Sequence, residues 1–546
     1  MSELRLVPAA LAVWAVILVL LSHGSVALAV AGVVVAALVL GLLGQGGQAT
    51  MVGACGAAAT LVTWAGLRRA RAWEPGEQIV GEVATAPVEI TGGGYLVRVD
   101  VSDLPAPLPV FTDELGDGVV SGSRVVVEAS LSASDRPGLL GQVGNGDVHP
   151  VAGPSGMDAV AHLVRESLGR AVETSVGEAS QGLIPGMVLG DTSGQTATDT
   201  QLYIDTGLSH LTAVSGANVA IVTTAAVLVC RLLTLGPRVQ VGAAAVALAG
   251  FVGLVGTEPS VLRASVTGLV GLLAVINSTR MEPIHGLCLA VIGLLLWDPD
   301  LAVAYGFALS VAATAGIIAL FPLLYRPLAR TGWPDILVRA IAVAVAADLV
   351  TMPIIALMAG RVSMVSVLAN VLVAPAVAPV TVLGLIAAGL SLLPGGLATL
   401  PLMIIEPCTW WIHTVATWCA DLPNATVPAS PAWVLVGYGW VLVGVISGHP
   451  LKTVGVVCAL FLWAARTDPL PPEIPLESLR VHHVPTVEEV GTAPPGTQVI
   501  VVEEGDGRAS IRPTVTREGI PVLFPQRDGP VTLHVDGTQH AADGRF

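Results

Sequence analysis

Residues 207–222 read GLSHLTAVSGANVAIV. The polar groups Ser209, His210, Thr212, Ser215 and Asn218 run straight into an uncharged apolar span, and Gly207 and Gly216 bracket the polar half. In hydrocarbon an unpaired polar group costs several kcal/mol, so this run must face protein or water rather than acyl chains. If the stretch is helical throughout, Thr212, Ser215 and Asn218 stand three apart and form one polar stripe. The reading that needs nothing further is a helix start whose small polar residues glue neighbouring helices together.

The surrounding chain has the composition of a membrane protein. Of 546 residues, 53% are apolar and 12% are charged, where soluble domains carry roughly 25% charged residues. The mean hydropathy is +0.77, and many uncharged runs approach the ~20 residues that span a bilayer. The expected fold is therefore a polytopic α-helical membrane protein. Aromatic residues are only 4% of the chain, so packing rests on Ala, Gly, Val and Leu, which let helices approach closely. Lys452 is the single lysine, and its setting GHPLKT lacks the glycine frame of a nucleotide-binding P-loop. Directional work must then come from a partner or a gradient. The six cysteines (Cys55, Cys230, Cys288, Cys408, Cys419 and Cys458) form no CxxC pair and read as small apolar core residues, not zinc ligands. No cofactor is expected.

Leu6 to Leu67 holds no charged residue. Turns at 22–25 and 44–48 divide it into three short spans, too long in total for a cleaved signal peptide, and Arg68, Arg69 and Arg71 follow. Residues 74–154 change character. Short strands are expected at 78–84, 95–101, 108–112, 124–130 and 141–151, separated by glycine turns, which suits a small β-barrel of the OB type. OB barrels grip single strands through aromatic platforms and basic grooves. This segment has 12 acidic and 3 basic residues, so a structural or docking role is expected of it. An amphipathic helix is expected over 157–176, with Ala161, Val164, Leu168 and Val172 on its apolar face. Thr196 and Asp199 form a capping-box pattern, and Gly207 is placed to close that short helix.

Ten further spans are expected between 217 and 465, giving about thirteen in all. The stretch 364–393 is long and contains Pro375 and Pro379, so a broken helix lining a cavity is expected there. Arginines follow alternate spans, and the positive-inside rule then puts the start of this block and the β-barrel outside the cell membrane. Arg68, Arg69 and Arg71 oppose that orientation. The expected organisation is N-terminal spans over 1–73, an OB-like domain over 74–154, a helical membrane domain over 155–466, and a short acidic tail over 467–546. The tail has strand-like pieces at 498–503, 521–524 and 531–535.

Five blocks carry a family resemblance. GLIPGMVLGDTSG (182–194), GLSHLTAVSGANVAIV (207–222), EPSVLRASVTGLVGLLAV (258–275), DPDLAVAYGFALSVAATAGI (298–317) and VSMVSVLANVLVAPAVAPV (362–380) follow one another in this order. Together they resemble the ComEC-type competence proteins, and the resemblance extends over roughly 74–465. It implies an inner-membrane channel that passes single-stranded DNA during natural transformation, working with a separate DNA receptor, nuclease and ATP-driven motor. It is compatible with a monomer or a homo-oligomer. Many family members add a metallo-β-lactamase-like domain, whose HxHxDH cluster is not found here: His482-His483 is followed by VPTVEE, and His534 and His540 stand isolated. The form expected is one without that nuclease, and the chain is expected not to be an enzyme. The resemblance also turns the opening stretch into the mouth of the conduit. Beside His210, Thr212, Ser215 and Asn218 would line it, and Gly216 would let the backbone approach the strand or a neighbouring helix.

Individual residues in the membrane region point further. Glu258 and Arg263 flank PSVL at a helix start with Pro259 in its first turn. Arg263 either meets DNA phosphates or pairs with Glu258. Asp348 lies inside AVAADLVTMP, and intramembrane carboxylates are functional candidates. It reads as a proton relay, or as a polar lining with Arg361 as its neighbour. Asn370 is placed to satisfy backbone freed near Pro375. A net charge of −15 leaves Arg231, Arg263 and Arg361 as the few positive groups for a DNA path. The competing expectations are a secondary transporter for a small or lipid-like solute built on Asp348, and a structural anchor whose acidic domains dock partners.

Overall fold

The computed structural model describes residues 4–545 except 77, 91–93, 117, 213, 215, 257–258, 277–281, 465–473, 475–478, 487–489, 491–493, 495, 504–512, 517–519, 535–537 and 543–544. The chain forms two compact units, one from residues 1–87 with 97–455 and one from 88–96 with 456–546.

The first unit begins with three apolar helices, α1 (Val7–His23), α2 (Val26–Leu42) and α3 (Gly46–Ala72). Gly24 closes α1 in the left-handed region at φ 65°, and Ser25 then caps α2 by accepting the Leu28 N–H. α3 runs through Arg68, Arg69 and Arg71, so these cations lie in its final turns, where they complement the helix dipole. Arg68 stacks on Trp64 at 4.7 Å.

Six strands follow: β1 (Ile79–Val83), β2 (Val88–Glu89), β3 (Tyr95–Asp100), β4 (Leu108–Thr112), β5 (Arg124–Ala133) and β6 (Gln142–Ala152). Five of them close into a barrel in the order β1-β5-β6-β4-β3, with β3 returning to β1. β4 and β6 run parallel, while β1 is antiparallel to both β3 and β5. This topology is consistent with the OB type. Alternate residues fill the barrel (Val97 with Val99, Leu108 with Val110, Val125 with Val127), as the period of a strand requires. The loop joining β5 to β6 leaves the barrel and inserts Leu139 into a core built from α1, α3 and α11 (Pro283–Trp297). There the Leu139 N–H donates to Asp300 Oδ1 at 2.8 Å.

α4 (Gly156–Ser175) buries Ala161, Val164, Leu168 and Val172 on one face. Its Arg165 reaches across to the end of α9 (Pro237–Val255), donating to the carbonyls of Leu254 at 3.1 Å and Val255 at 2.8 Å. These are carbonyls that a helix terminus leaves without internal partners. Short helices α5 (Glu178–Gln181), α6 (Leu183–Leu189) and α7 (Ala197–Asp205) follow, and every residue of α6 is buried. Both halves of the Thr196–Asp199 capping box are made at the start of α7.

The helical domain continues with α8 (Gly216–Leu232), α9, α10 (Pro259–Ile276), α11, α12 (Tyr305–Ala329), α13 (Asp335–Ala359), α14 (Ser366–Leu390), α15 (Thr399–Ala420), α16 (Pro431–Ile446) and α17 (Pro450–Ala464). Among the described residues, five helices are long and apolar enough to cross a membrane: α3, α9, α12, α13 and α14. Several shorter apolar helices accompany them, α1, α2, α11 and α16 among them.

Two local expectations change. α14 is continuous through Pro375 and Pro379 and is not broken. Each proline removes only one donor from the helix ladder, at the carbonyls of Val371 and Pro375, and next to the first of these Trp411 of α15 donates its indole N–H to the Leu372 carbonyl at 3.0 Å. The polar stripe also fails as a helical feature. α8 starts at Gly216, while Ser209–Leu211 form a separate 3-10 turn, and the Thr212 hydroxyl bonds back to the Ser209 carbonyl at 2.9 Å. Such local bonding competes with helix propagation. An antiparallel ribbon of β7 (Arg361–Ser363) and β8 (Thr426–Pro428) links the end of α13 to the segment after α15.

In the second unit, β9 (Val481–Val484) and β12 (Pro521–Leu523) flank β10 (Val499–Val502) in parallel, with β11 (Thr514–Val515) antiparallel on the edge. Val484, Ile500, Val502, Val522 and Phe524 form its core. Arg527 stacks on Phe524 at 3.7 Å and pairs with the buried Asp528 at 2.7 Å. β13 (Val531–Leu533) and β14 (Gln539–Ala541) form a hairpin. His534 and His540, isolated in the sequence, meet across that hairpin edge-on, 4.9 Å apart. β2 also belongs to this unit, paired with residues 95–96.

Candidate functional site

The stretch 207–222 meets the rest of the helical domain at two clusters. The first surrounds Gly207. This residue ends α7 at φ 69°, and the Leu208 N–H returns to the Tyr203 carbonyl at 2.7 Å. Glycine is required twice over. The left-handed backbone disfavours any side chain, and a Cβ would overlap the hydroxyl of Ser366, the first residue of α14. His210 is exposed, with Nδ1 3.2 Å from the Gly207 carbonyl. A carbonyl only accepts, so that nitrogen carries the proton in this contact.

One turn along α14, the Asn370 amide donates to the Ser366 carbonyl at 2.9 Å, to Ser366 Oγ at 3.3 Å and, at 3.4 Å, to the Gly207 carbonyl. Ser366 Oγ in turn donates to Asp348 Oδ1 of α13 at 3.2 Å. Asp348 is 8% exposed, and its Oδ2 has no hydrogen-bond partner. Tyr438 of α16 faces the same carboxyl. The expected neighbour Arg361 is not its partner. It lies on β7, where the register of the ribbon turns its guanidinium to the Thr426 hydroxyl of β8.

The second cluster lies at the start of α8. A Cβ on Gly216 would stand 3.3 Å from Ala264 Cβ and 3.6 Å from Arg263 Nη2, so α8 and α10 touch here without an intervening side chain. Ser260 Oγ of α10 donates to the Val214 carbonyl at 2.8 Å, just ahead of α8. Arg263 is half-buried and donates Nε to Ser310 Oγ of α12 at 2.7 Å. Among the described residues it has no acidic partner. Ser215 and Glu258 lie outside the described residues. Asn218 is 3% exposed and donates to the Met187 carbonyl of α6 at 2.8 Å, so its amide secures α8 to α6.

Reading the sequence singled out Asp348, Asn370, Gly216 and Arg263, and the structure groups them as Asp348 with Asn370 and Gly216 with Arg263. It missed Ser366, Ser310, Tyr438 and the Met187 carbonyl. Ser366 had a usable signal, its spacing of four from Asn370 on a helix. The other three carried none, because each is brought in from a distant element. His413 of α15 lies 3.6 Å from Asp199 of α7. On the same helix the Glu406 carboxylate accepts the Gly177 N–H at 2.8 Å, and Thr409 and Ser180 share a buried hydrogen bond at 2.7 Å. α15 is therefore the support for α5 and α7.

The electrostatics outside the helices centre on the turn Pro299–Val303. Burial pushes the Asp300 carboxyl up to about 6; the Leu139 N–H opposes this and neighbouring Asp298 adds to it. Burial raises Asp298 as well. Among the described residues no group of three or more His, Cys, Asp or Glu side chains converges to hold a metal ion.

Residues 187–450 match the family model described as "Competence protein". That interval runs from within α6 to the start of α17 and contains both clusters. No curated protein and no solved structure matches the chain.

Proposed function

We propose, from the match of residues 187–450 to the competence protein family model, that the chain is an inner-membrane channel passing single-stranded DNA into the cytoplasm during natural transformation. The observation that carries the reading is Arg263. It is a half-buried cation with no acidic partner among the described residues, set where α8, α10 and α12 meet. Ser310 takes only Nε, which leaves the terminal guanidinium nitrogens as donors. A planar fork of this kind suits phosphate oxygens. Gly216 keeps the space beside it clear. In this reading the short apolar helices join the long ones to make about thirteen spans, and the acidic barrel, outside the membrane, docks a DNA receptor and leaves the strand to the helical domain. A separate nuclease and an ATP-driven motor supply the strand and the work.

The test is uptake of labelled DNA by a deletion strain complemented with wild type or Arg263→Ala. The deletion abolishes arrival of label in the cytosol while surface binding persists, and Arg263→Ala reproduces that loss at normal protein levels. Normal transformation of the deletion strain refutes the reading. A secondary transporter is the second reading, favoured by the unpartnered Oδ2 of Asp348. Proton-coupled solute flux in vesicles that is lost on Asp348→Asn, with DNA uptake intact, would select it.

A further inference from the structure

Asp348 is a buried carboxyl with little to hold a negative charge. The hydroxyls of Ser366 and Tyr438 hydrogen-bond the carboxyl, Ser366 at Oδ1, and the buried Oδ2 has no partner. Apart from Tyr438, which bonds the carboxyl, the charged and titratable groups on the surrounding elements are accounted for elsewhere. α14 presents the neutral Ser366 and Asn370. α16 presents Tyr438. On β7, Arg361 is bonded to Thr426. On α7, Asp199 stands against His413 and Asp205 accepts from Gln201. α12 has Arg326 as its one charged side chain, in its last turn. A carboxylate in such a place, with no cation beside it among the described residues, bears a desolvation penalty that two neutral hydroxyls do not offset.

The hydrogen bonds around it also have a fixed direction. Ser366 Oγ donates to Asp348 and therefore receives the Asn370 amide as an acceptor. The same amide leans on the Gly207 carbonyl, and Gly207 itself is packed against the Ser366 hydroxyl. Carboxyl, hydroxyl, amide and turn form one chain ending where α7 closes.

We propose that Asp348 is a proton-binding site whose occupancy is conveyed through Ser366 and Asn370 to the Gly207 turn. With the proton on Oδ2, Oδ1 remains free to accept from Ser366, and the bond chain is satisfied as observed. When the proton leaves to water, the carboxylate draws its donors closer, and these are the hydroxyls of Tyr438 and Ser366, the latter carrying Asn370 behind it. Ser366 has no clearance from Gly207, so its displacement moves the turn. The proposal is independent of what the channel carries.

The experiment uses the full chain in lipid nanodiscs. Infrared difference spectra, wild type minus Asp348→Asn, report the carbonyl stretch of a protonated carboxylic acid. The expected result is a band at neutral pH that disappears when the wild type is made alkaline. Absence of the band at neutral pH overturns the proton site. Amide hydrogen exchange at 207–212, corrected for intrinsic rates, reads the coupling. It should increase in alkaline wild type, stay at the neutral level in Asp348→Asn, and lose its response in Ser366→Ala while the infrared band remains. A wild-type turn indifferent to pH, or a Ser366→Ala turn that still responds, overturns the coupling.

Discussion

Replacing Gly207 with alanine is the sharpest perturbation of the junction between α7, α8 and α14. At φ 69° an L-residue costs ~1–2 kcal/mol in backbone strain. The new methyl also overlaps the Ser366 hydroxyl and Cβ, so the start of α14 must retreat. That retreat weakens the contacts of Ser366 with Asp348 and of Asn370 with Gly207, each worth roughly 0.5–1.5 kcal/mol. The sum is a loss of about 2–5 kcal/mol. The assay is thermal unfolding of the purified full chain in detergent, beside Gly389→Ala on the same helix as a control. Gly389 has open space and no left-handed backbone, so alanine there should stabilise by roughly 0.5–1 kcal/mol. A Ser366→Gly background removes the overlap, and the cost of Gly207→Ala should fall in it, a coupling that a double-mutant cycle isolates. If Gly207→Ala melts no lower than the Gly389→Ala control, or costs as much in the Ser366→Gly background as in wild type, the close packing of the turn on α14 is refuted.

Four further outcomes are expected. Gly216→Leu drives a side chain into Ala264 and Arg263; DNA uptake should fall to the level of the deletion strain while membrane insertion, measured by fractionation, is unchanged. Asn218→Ala leaves the Met187 carbonyl without its side-chain donor and should cost ~1–3 kcal/mol in unfolding experiments. Arg165→Met removes two charge-assisted bonds to the end of α9 and should lower stability by ~1.5–3 kcal/mol, with faster hydrogen exchange at 252–256. Asp300 has its carboxyl raised by burial to about 6. Its contribution is therefore complete below the ordinary carboxylate range and is lost as pH rises through about 6. Asp300→Asn keeps an acceptor for Leu139, so it should raise the melting temperature above pH ~7 and leave it unchanged near pH ~4.

What could be read in the sequence was whatever is encoded locally. The apolar spacing of Ala161, Val164, Leu168 and Val172 gave the buried face of α4. Valine alternation with glycine turns gave the barrel strands, with β4 at its observed limits. Thr196 and Asp199 gave the start of α7. The misreadings arose where a distant element decides. Pro375 and Pro379 signalled a break, but Trp411 on another helix supports the backbone there. Arg361 looked like the partner of Asp348 from its place in the chain, yet a ribbon with residues 426–428 claims it. The spacing of Thr212 and Asn218 suggested one helix face, while Thr212 ends the 3-10 turn and Asn218 belongs to a helix that starts only at Gly216. At the candidate site the charged residues were visible because charge is rare in an apolar run. The serine that positions Arg263 stands 47 residues away, and no pattern announces it.

The barrel has more than its covalent links to the helices. α3 leads into it and α4 leads out, and Gly122 of the barrel lies directly against Asp158 of α4. The β5–β6 hairpin adds a separate attachment by seating Leu139 against Gly66 of α3 and bonding to Asp300. A body pinned at several separate places behaves as a bracket and not as a pendulum. A tug on its outer surface becomes a load on the turn between α11 and α12, the helix that holds Ser310 against Arg263. The side attachment of the barrel thus ends on the turn that leads straight into the helix carrying the partner of Arg263.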